Sequence, residues 1–326
     1  MKKAAFYTLG CKVNQYETEA MAELFADSGY EIKEFTEVAD VYVINTCSVT
    51  NMGDRKSRQI IRRAKKLNPN AVIAVTGCYA QTAPDEVLAI EGVNLVLGTK
   101  DRKNIVTLVE ELNTESNINH VSDIMSNHEF EELQIKQYSN RTRAFIKIQE
   151  GCNQFCSYCI IPYARGPVRS RAKDDVVREI KELAHNGFKE IILVGIHVAS
   201  YGVDLGDTTL ESLIMDVDKI DGVERIRLSS IEPMTLNQEF IDSIKDSKKL
   251  CHHFHISLQS GCDETLKRMN RKYTTAQFKG IVDGLREAFD DVAITTDIMV
   301  GFPDESDEEF NKTVEFVRNI KFADAH

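Results

Sequence analysis

Short apolar runs alternate with segments of helical pattern over about the first 110 residues of the chain. Three of these runs, residues 4–9, 41–45 and 72–76, are predicted to form buried strands. A helix is expected after the first run, where Asn14 and Glu17 have the spacing of a capping box. This alternation indicates an α/β domain built on an open parallel sheet.

A polar, acidic stretch separates this region from a second alternating series. Residues 113–140 are predicted to be a linker between an N-terminal domain, residues 1–112, and a second domain, residues 141–326. The second domain is predicted to contain strands at residues 144–149, 190–194, 225–229, 253–258 and 292–300, and helices at 174–185 and 275–289. Repeated β-α units of this kind build a full or partial parallel barrel, whose chemistry lies on the loops at its carboxyl face.

The composition is that of an ordinary globular protein. Apolar residues make up 42% of the 326 residues and charged residues 28%, and the length suits about two domains. The chain begins with a strand-like segment, and no apolar run approaches the roughly twenty residues that a membrane helix needs. We therefore expect a cytoplasmic protein, in whose reducing compartment the eight cysteines are not expected to pair as disulfides.

The net charge of −11 argues against a protein that binds nucleic acid by bulk attraction, because phosphate affinity comes from clustered Lys and Arg. One local cluster exists, with seven basic residues and no acidic residue between positions 55 and 66. Four of its members recur at helical spacing: Arg55, Arg58, Arg62 and Lys66. The charge pattern alone favours a solvated helix face over a nucleic-acid contact.

Three cysteines form a compact C-x3-C-x2-C motif directly after the first strand of the predicted barrel: Cys152, Cys156 and Cys159. Cubane iron–sulfur clusters need four ligands, so this compact triplet leaves one iron open to a substrate or cofactor, which implies catalysis. A structural zinc site would need a fourth Cys or His close by, and His185 is distant. The spacing therefore favours an iron–sulfur cluster. Three arginines that follow are candidates for a substrate-phosphate or active-site role: Arg165, Arg169 and Arg171.

Three more cysteines follow the predicted strands of the N-terminal domain: Cys11, Cys47 and Cys78. The carboxyl ends of strands in an open sheet form one edge, where binding crevices lie, so this N-terminal triplet is expected to converge. Gly10 and Gly77 precede two of its members and would allow close backbone approach. We predict a second three-thiolate cluster site, and the alternative is three unrelated buried thiols.

Longer runs accompany these cysteines and are specific in combination. They are Thr-Leu-Gly-Cys-Lys-Val-Asn-Gln-Tyr-Glu (8–17), Asn-Thr-Cys-Ser-Val-Thr (45–50), Thr-Gly-Cys-Tyr-Ala-Gln (76–81), Arg-Gly-Pro-Val-Arg-Ser-Arg (165–171) and Leu-Gln-Ser-Gly (258–261). With the compact triplet they resemble, over the whole chain, the methylthiotransferase branch of the radical S-adenosylmethionine superfamily.

The first of these runs separates the subfamilies. Gly-Cys-Lys-Val-Asn at 10–14 resembles the bacterial enzymes that act on N6-threonylcarbamoyladenosine in tRNA, on the 3′ side of the anticodon. The isopentenyladenosine enzymes look more like Gly-Cys-Gln-Met-Asn at this place, and the enzymes that modify a ribosomal-protein aspartate look more like Gly-Cys-Pro-Lys-Asn. The resemblance therefore implies a tRNA threonylcarbamoyladenosine methylthiotransferase, with the other two substrates as alternatives.

The resemblance implies two [4Fe–4S] clusters and S-adenosylmethionine as cofactors. The cluster of the compact triplet would chelate S-adenosylmethionine and cleave it to a 5′-deoxyadenosyl radical, which abstracts hydrogen from carbon 2 of the adenine. The cluster of the N-terminal triplet would hold the sulfur that is methylated and delivered to that carbon. The implied partners are the anticodon loop of tRNA, an external one-electron reductant and a sulfur source.

The resemblance also implies contacts to S-adenosylmethionine. Tyr158 occupies the aromatic position that in the superfamily lies against the adenine of the cofactor, and ordinary packing is the alternative. Four residues at or just beyond predicted strand ends are further candidates, or else loop and capping residues: Gly195, Ser229, Glu232 and Gln259. Four others are given no role: His197, His255, Cys251 and Cys262.

Two features depart from the family pattern. Asp304 replaces a usual glycine, which would either alter the turn or demand a left-handed conformation that Asp tolerates better than most residues. Residues 322–326 look like the opening of a sixth barrel strand, and the small RNA-binding TRAM domain is absent, so we expect a truncated chain that binds tRNA poorly. A rival of another class is an iron–sulfur electron carrier or redox sensor, which would show cluster absorbance without cleaving S-adenosylmethionine.

Overall fold

The computed structural model describes residues 1–112, 115–135 and 142–326, which divide into two compact units. The first unit contains the described residues up to 135, together with Glu150–Asn153 and Ile160–Arg169. The second unit contains residues 142–149, Gln154–Cys159 and Ser170–His326. Among the described helices, none is both long and apolar enough to cross a membrane.

The first unit contains a parallel sheet of six strands. They are β1 (Lys3–Thr8), β2 (Glu31–Lys33), β3 (Val41–Thr46), β4 (Val72–Gly77), β5 (Leu95–Leu97) and β6 (Ile118–His120). Their order in the sheet is β2-β1-β3-β4-β5-β6, so the direction of winding changes between β1 and β3. In open α/β sheets such a switch point opens a crevice at the carboxyl ends of the strands. The predicted open parallel sheet is confirmed.

Helices cover both faces of this sheet. They are α1 (Lys12–Asp27), α2 (Asn51–Leu67), α3 (Cys78–Thr82), α4 (Pro84–Leu88), α5 (Ile105–Glu110) and, from the later insertion, α6 (Ile161–Arg165). All six residues of β3 are buried, with Ile44 in one apolar cluster beside Ile61 of α2 and Val43 in another beside Met21 of α1. A strand that is buried on both faces has a nearly continuous apolar sequence, and this run predicted β3.

The predicted capping box at the start of α1 is wrong. The helix begins at Lys12, and its N-cap is Cys11, whose side chain makes no capping hydrogen bond. Asn14 and Glu17 are buried one turn further along the helix, where they bind other groups. Their buried side chains accept hydrogen bonds from Arg165 and do not cap the helix.

The segment predicted as a linker contributes a strand to the first sheet. Within residues 113–140 lie β6, which pairs in parallel with β5, and a short 3-10 turn at Ile124–Ser126. Ile124, Leu133 and Ile135 are buried. Residues 113–114 and 136–140 of this predicted linker lie outside the described residues, as does residue 141, where the second domain was predicted to begin.

The second unit is a partial barrel of β-α units. Its strands are β7 (Arg143–Glu150), β8 (Arg169–Ser170), β9 (Glu190–Gly195), β10 (Arg225–Leu228), β11 (His253–His255), β12 (Ala293–Thr296) and β13 (Asp324–Ala325). They form two sheets, β10-β9-β7-β8 and β11-β12-β13, and an isolated parallel bridge joins Ile226 to Leu250 beside β11. Every pairing of β7 with β9, β9 with β10, β11 with β12 and β12 with β13 is parallel. The predicted partial barrel is confirmed, including a strand near residue 325.

Helices follow the strands of this unit. They are α7 (Lys173–His185), α8 (Leu210–Asp218), α9 (Gln238–Ile244), α10 (Asp263–Arg268), α11 (Thr275–Ala288) and α12 (Asp307–Ile320). The strands predicted at 253–258 and 292–300 are shorter than expected, because their later parts make only isolated bridges, from Ile256 to Ile231 and from Ile298 to Gln259. Asp304 has φ 63°, the left-handed conformation expected for it.

Candidate metal centres

The three members of the N-terminal triplet lie at the carboxyl ends of neighbouring strands. Cys11 follows β1 and is exposed at the N-terminus of α1, and Cys47 directly follows β3. Cys78 follows β4 as the first residue of α3 and is buried. Because β1, β3 and β4 are adjacent in the sheet, the predicted convergence of these residues at one edge is observed.

Two glycines permit this close approach. A Cβ atom on Gly10, whose φ is +104°, would lie 2.9 Å from Cβ and 3.2 Å from Sγ of Cys47. A Cβ atom on Gly77, whose φ is +96°, would lie 2.4 Å from the backbone oxygen of Thr46. Both positions combine a left-handed backbone with a close contact, so each requires glycine.

The three thiols influence one another electrostatically. Burial raises the pKa of Cys78, and negative charge on Cys11 and Cys47 would raise it further. Burial likewise raises the pKa of Cys47. Arg165 opposes these effects, because its Nε donates a hydrogen bond of 3.3 Å to Sγ of Cys78 and its charge lowers the pKa of both thiols. A buried guanidinium thus stabilises thiolate at this edge of the sheet.

Arg165 is the centre of a buried network of charged groups in the first unit. Its Nη1 donates hydrogen bonds to Glu17 at 2.6 Å and to Glu150 at 2.7 Å, and its Nη2 donates one to Asn14 at 2.6 Å. Arg102, equally buried, pairs with Glu17 at 2.5 Å. Burial alone would lower the pKa of Arg165, but the negative charges of Cys78, Glu17 and Glu150 raise it well above its usual value.

The phosphate-binding role considered for the arginines after the compact triplet is wrong. Arg165, Arg169 and Arg171 are all buried, with at most 1% of their surface exposed. Arg169 donates to the backbone oxygens of residues 165 and 167, and Arg171 pairs with Glu179. The alternative, an active-site role, is still possible for Arg165 because it contacts Cys78.

The N-terminal triplet fits an iron–sulfur cluster by the chemistry of its donors and by its surroundings. Three thiols arrive from separate loops, a glycine backbone lies against one of them, and a guanidinium donates to another. Such hydrogen bonds to ligand sulfur are what tunes a thiolate-bound cluster. Across the described residues, no three His, Cys, Asp or Glu side chains converge tightly enough to hold a single metal ion. A cluster does not need that convergence, because each thiolate binds a different iron.

The compact triplet lies in an irregular loop after β7. Contacts assign Cys152 to the first unit, where its N–H donates to the backbone oxygen of Gly166 at 3.1 Å. Cys156 and Cys159 belong to the second unit, where the N–H of Cys159 donates to the backbone oxygen of Cys156 at 3.0 Å. All three thiols are partly exposed, which suits ligands of a centre that a substrate must reach.

Arg271 supplies the second contact between a guanidinium and a cysteine sulfur. Its Nη1 donates to Sγ of Cys156 at 3.3 Å, within the second unit. Its Nε donates to the hydroxyl of Tyr273 at 3.1 Å, and its Nη2 lies 3.7 Å from Glu232. Each triplet therefore has one member whose sulfur accepts a hydrogen bond from an arginine.

The five candidates for S-adenosylmethionine contacts all belong to the second unit. Tyr158 is 38% exposed, its ring meets Phe302 edge to face at 6.1 Å, and burial of its hydroxyl raises its pKa to about 12. Glu232 is nearly buried and accepts a hydrogen bond of 3.0 Å from the N–H of Met234. Burial raises the pKa of this carboxyl, and Arg271 opposes the rise.

The other three candidates lie near the ends of barrel strands. Gly195 ends β9, and a Cβ atom there would lie 2.9 Å from Oε1 of Gln149. Ser229 follows β10, and its buried Oγ has no hydrogen-bond partner within the described part of the chain. Gln259 has a left-handed backbone, with φ 66°, and its N–H donates to the backbone oxygen of Asp297.

The residues given no role have structural partners. His197 shares a hydrogen bond of 2.6 Å between Nδ1 and Oγ of Ser200, and burial and the charge of Arg271 lower its pKa to about 4. His255 shares hydrogen bonds with Thr295 and Asp297. These contacts agree with structural histidines.

Sequence reasoning missed Arg271 and the buried carboxylates. No motif singled out Arg271, which follows α10. Glu150 did give a signal, because it ends a strand of apolar pattern two residues before Cys152. An acidic residue at the end of a buried strand needs a buried cation, and Arg165 provides it at 2.7 Å.

Two family models match the chain, the radical SAM superfamily over residues 146–317 and the uncharacterized protein family UPF0004 over residues 3–98. Threonylcarbamoyladenosine tRNA methylthiotransferase MtaB of Bacillus subtilis is 49% identical over 100% of this chain and 73% of that protein. The MtaB protein of Aquifex aeolicus is 42% identical over 99% of this chain and 79% of its own length.

More distant similarities fall within the same superfamily. The tRNA-2-methylthio-N(6)-dimethylallyladenosine synthase of Thermoanaerobacter pseudethanolicus is 39% identical over 98% of this chain and 69% of that protein. The radical S-adenosylmethionine methyltransferase TsrM of Kitasatospora setae, solved with tryptophan and a S-adenosylmethionine analogue, superposes with a TM-score of 0.71. That match covers 100% of this chain and 72% of TsrM at 15% identity, so it shows the fold alone. The chain belongs to the tRNA methylthiotransferase family of the radical S-adenosylmethionine superfamily.

Proposed function

We propose that this enzyme, a transferase, converts N6-threonylcarbamoyladenosine of tRNA to its 2-methylthio derivative by radical S-adenosylmethionine chemistry. The observation that carries the proposal is the gathering of the N-terminal triplet at one sheet edge, in a chain that also carries the compact triplet. An electron carrier needs one cluster and no open iron. Two separate sets of three thiols suit an enzyme that needs one centre for cleavage and another for sulfur.

The two [4Fe–4S] clusters and S-adenosylmethionine are the cofactors of the family. We assign one cluster to Cys152, Cys156 and Cys159 and the other to Cys11, Cys47 and Cys78. When bound, the first supplies one-electron cleavage of S-adenosylmethionine, and the second supplies a site for sulfur. The rest of the chemistry that the protein contributes is positional and electrostatic.

Two arginines have the electrostatic role. Arg165 donates to Cys78, and Arg271 donates to Cys156, each at 3.3 Å. Hydrogen bonds to sulfur and a nearby positive charge stabilise the reduced, more negative form of a cluster. Because Arg165 is fully buried and held by two carboxylates, it keeps its direction toward Cys78 whether or not a cluster is bound.

The second unit would orient S-adenosylmethionine. The ring of Tyr158 is partly exposed and would stack on the adenine. The Oγ of Ser229, which has no hydrogen-bond partner among the described residues, would donate to or accept from the ribose or the amino acid part, and the carboxylate of Glu232 would accept. Gly195 and Gln259 would contribute backbone contacts. Four of these assignments follow the position of the residue near a strand end of the barrel, and that of Tyr158 follows its place inside the compact triplet.

The substrate nucleoside is assigned from the relatives. The three first matches act by name on threonylcarbamoyladenosine, at 39–49% identity, and the dimethylallyladenosine enzymes match at up to 39%. A dimethylallyladenosine (isopentenyladenosine) tRNA enzyme remains the second candidate, because the two groups overlap in identity. We place the enzyme in the cytoplasm, where tRNA, a one-electron reductant and a sulfur source are available.

The experiment that separates the enzyme from an electron carrier is anaerobic reconstitution followed by reduction with S-adenosylmethionine. We expect about eight iron atoms for each chain, four for each cluster, and release of 5′-deoxyadenosine. Cys156→Ala should abolish that release, whereas Cys78→Ala should keep it and lose about half of the iron. Cys251→Ala is the matched control and should change neither. Cluster absorbance without release of 5′-deoxyadenosine would contradict the proposed enzyme and favour an electron carrier.

A further inference from the structure

We propose that the exposed face of helix α2 binds the sugar-phosphate backbone of the tRNA substrate, an inference that rests on the proposed function. The helix holds seven basic residues and one acidic residue, Asp54, so it carries a charge of +6 in a chain of −11. The basic face is defined by four exposed side chains: Arg55, Lys56, Arg62 and Lys66.

The packing of α2 orients this face away from the protein. Ser57, Ile61 and Ala64 are the buried residues of the helix, and they recur at the spacing of one narrow stripe. At 100° for each residue, Arg55, Arg62 and Lys66 point almost directly opposite that stripe. They span about 16 Å along the helix axis, at 1.5 Å for each residue.

The members of the basic face have no protein partner in the described part of the chain. The other cations of α2 do, because Arg58 donates to the hydroxyl of Tyr79 at 3.0 Å and Lys65 donates to the backbone oxygen of Pro69 at 2.7 Å. Several exposed cations on other helices pair within one turn, as Arg178 does with Asp175 and Lys279 does with Asp283. No such intrahelical pair neutralises the basic face in the described part of the chain, although seven cations lie close together on α2.

The charges of α2 also weaken the isolated helix. Arg58 and Lys66 each lie four residues from Arg62, and like charges at that spacing repel. Only the basic residues of the last turn interact favourably with the helix dipole. An anionic partner on the basic face would offset the repulsion between its cations.

The N-terminus of α2 is built against the N-terminal triplet. The N-cap is Thr50, three residues after Cys47, and a Cβ atom on Gly53 would lie 3.1 Å from the backbone oxygen of Cys47. Val49 and Met52, at the same end, are 60% and 58% exposed. A polyanion on the basic face would therefore extend toward an exposed apolar surface beside the candidate sulfur site, where an unstacked base could pack.

The basic face also explains how an acidic protein could bind tRNA, which is itself negatively charged. Excluding α2, the chain has a large excess of negative charge, which repels tRNA at a distance. Phosphate affinity comes from clustered cations and is independent of nucleotide sequence. The basic face is such a cluster, so tRNA binding through it should depend strongly on salt concentration.

The test compares two triple variants by titration of fluorescently labelled tRNA at several salt concentrations. One variant is Arg55→Gln, Arg62→Gln and Lys66→Gln, and the matched control is Lys181→Gln, Lys248→Gln and Arg318→Gln, which removes three exposed charges from the second unit. Each lost phosphate contact lowers the slope of log K against log salt by about 0.7–0.9. The α2 variant should therefore lose about two units of slope and bind about 100-fold more weakly at about 0.1 M salt. The control should match the parent.

Cluster content and 5′-deoxyadenosine release should be the same in the parent and the α2 variant, which separates loss of tRNA binding from loss of fold. Equal tRNA affinity and slope in both triple variants would overturn the inference and leave the proposed function standing. So would a parent without measurable tRNA binding at low salt. If the α2 variant binds tRNA normally but is reduced slowly by a small acidic electron carrier, the face binds that carrier and the inference is wrong.

Discussion

Replacing Arg165 by methionine tests the buried charge network most sharply. The substitution keeps side-chain volume roughly constant but removes the hydrogen bonds to Glu17, Glu150, Asn14 and Cys78. Both carboxylates keep Arg102 as a partner, at 2.5 Å and 3.4 Å, so neither is left without a cation. Removing one member of a buried ion pair costs about 3–5 kcal/mol, and the remaining partner places the expected loss toward the lower end of that range.

Hydrogen exchange of the cluster-free protein is the appropriate assay, because a chain of two units does not unfold in one step. Peptides of α1 and β3 should open with a free energy lower by about 3 kcal/mol in Arg165→Met, and peptides of α11 should be unchanged. Glu17→Gln combined with Arg165→Met should cost less than the sum of the two single substitutions, because each substitution alone already removes the pair between Glu17 and Arg165.

Arg178→Met is the control, since Arg178 pairs with Asp175 at the surface with 55% of its side chain exposed. Surface ion pairs contribute little, so exchange should be unaffected. If Arg165→Met opens as rarely as Arg178→Met, the network does not hold the first unit together, and its role as a rigid support for Cys78 must be abandoned.

Three further predictions follow from single sites. Gly77→Ala should destabilise the first unit by more than Gly29→Ala. Both glycines have positive φ, but only a Cβ atom on Gly77 would clash, at 2.4 Å. Equal decreases in the free energy of opening, measured by hydrogen exchange, would contradict the steric argument. His197 has a folded pKa of about 4 against 6.5 when unfolded, so its contribution to stability is complete above pH 6.5 and is lost as the pH falls toward 4, by at most about 3 kcal/mol. His197→Gln should lose less stability than the parent between pH 7 and 4.5, and parallel thermal curves would contradict this. Arg271→Gln should make the midpoint potential of the cluster bound by Cys156 more negative. The shift is about 60 mV if the free energy of this hydrogen bond differs by about 1.4 kcal/mol between the two oxidation states. An unchanged potential in a redox titration would rule out this role.

The positions of the N-terminal triplet could be predicted because the ends of the strands that precede its members could be predicted. The strands before Cys11, Cys47 and Cys78 are continuous apolar runs, and in a parallel sheet their ends share one edge. Helices α7 and α11 were placed within one residue at each end for a similar reason, since their buried residues recur with helical period. Local pattern was sufficient in these cases.

The surroundings of the thiols could not be predicted in the same way. Asn14 and Glu17 match a local capping pattern, but the structure uses them for Arg165, 148 residues or more away in sequence. Contacts at such separation depend on how the sheet and the α6 segment pack, which no local pattern records. The short strands β11 and β12 were overestimated because their apolar runs continue into loops that make only isolated bridges.

Nucleoside mass spectrometry of tRNA is the most direct measurement of the proposed function. A strain that lacks the gene should contain N6-threonylcarbamoyladenosine without its 2-methylthio derivative, and complementation should restore the derivative. Complementation with Cys78→Ala or Cys156→Ala should not restore it, and 2-methylthio-N6-dimethylallyladenosine should be unaffected throughout. Unchanged 2-methylthio-N6-threonylcarbamoyladenosine in the deletion strain would contradict the assignment.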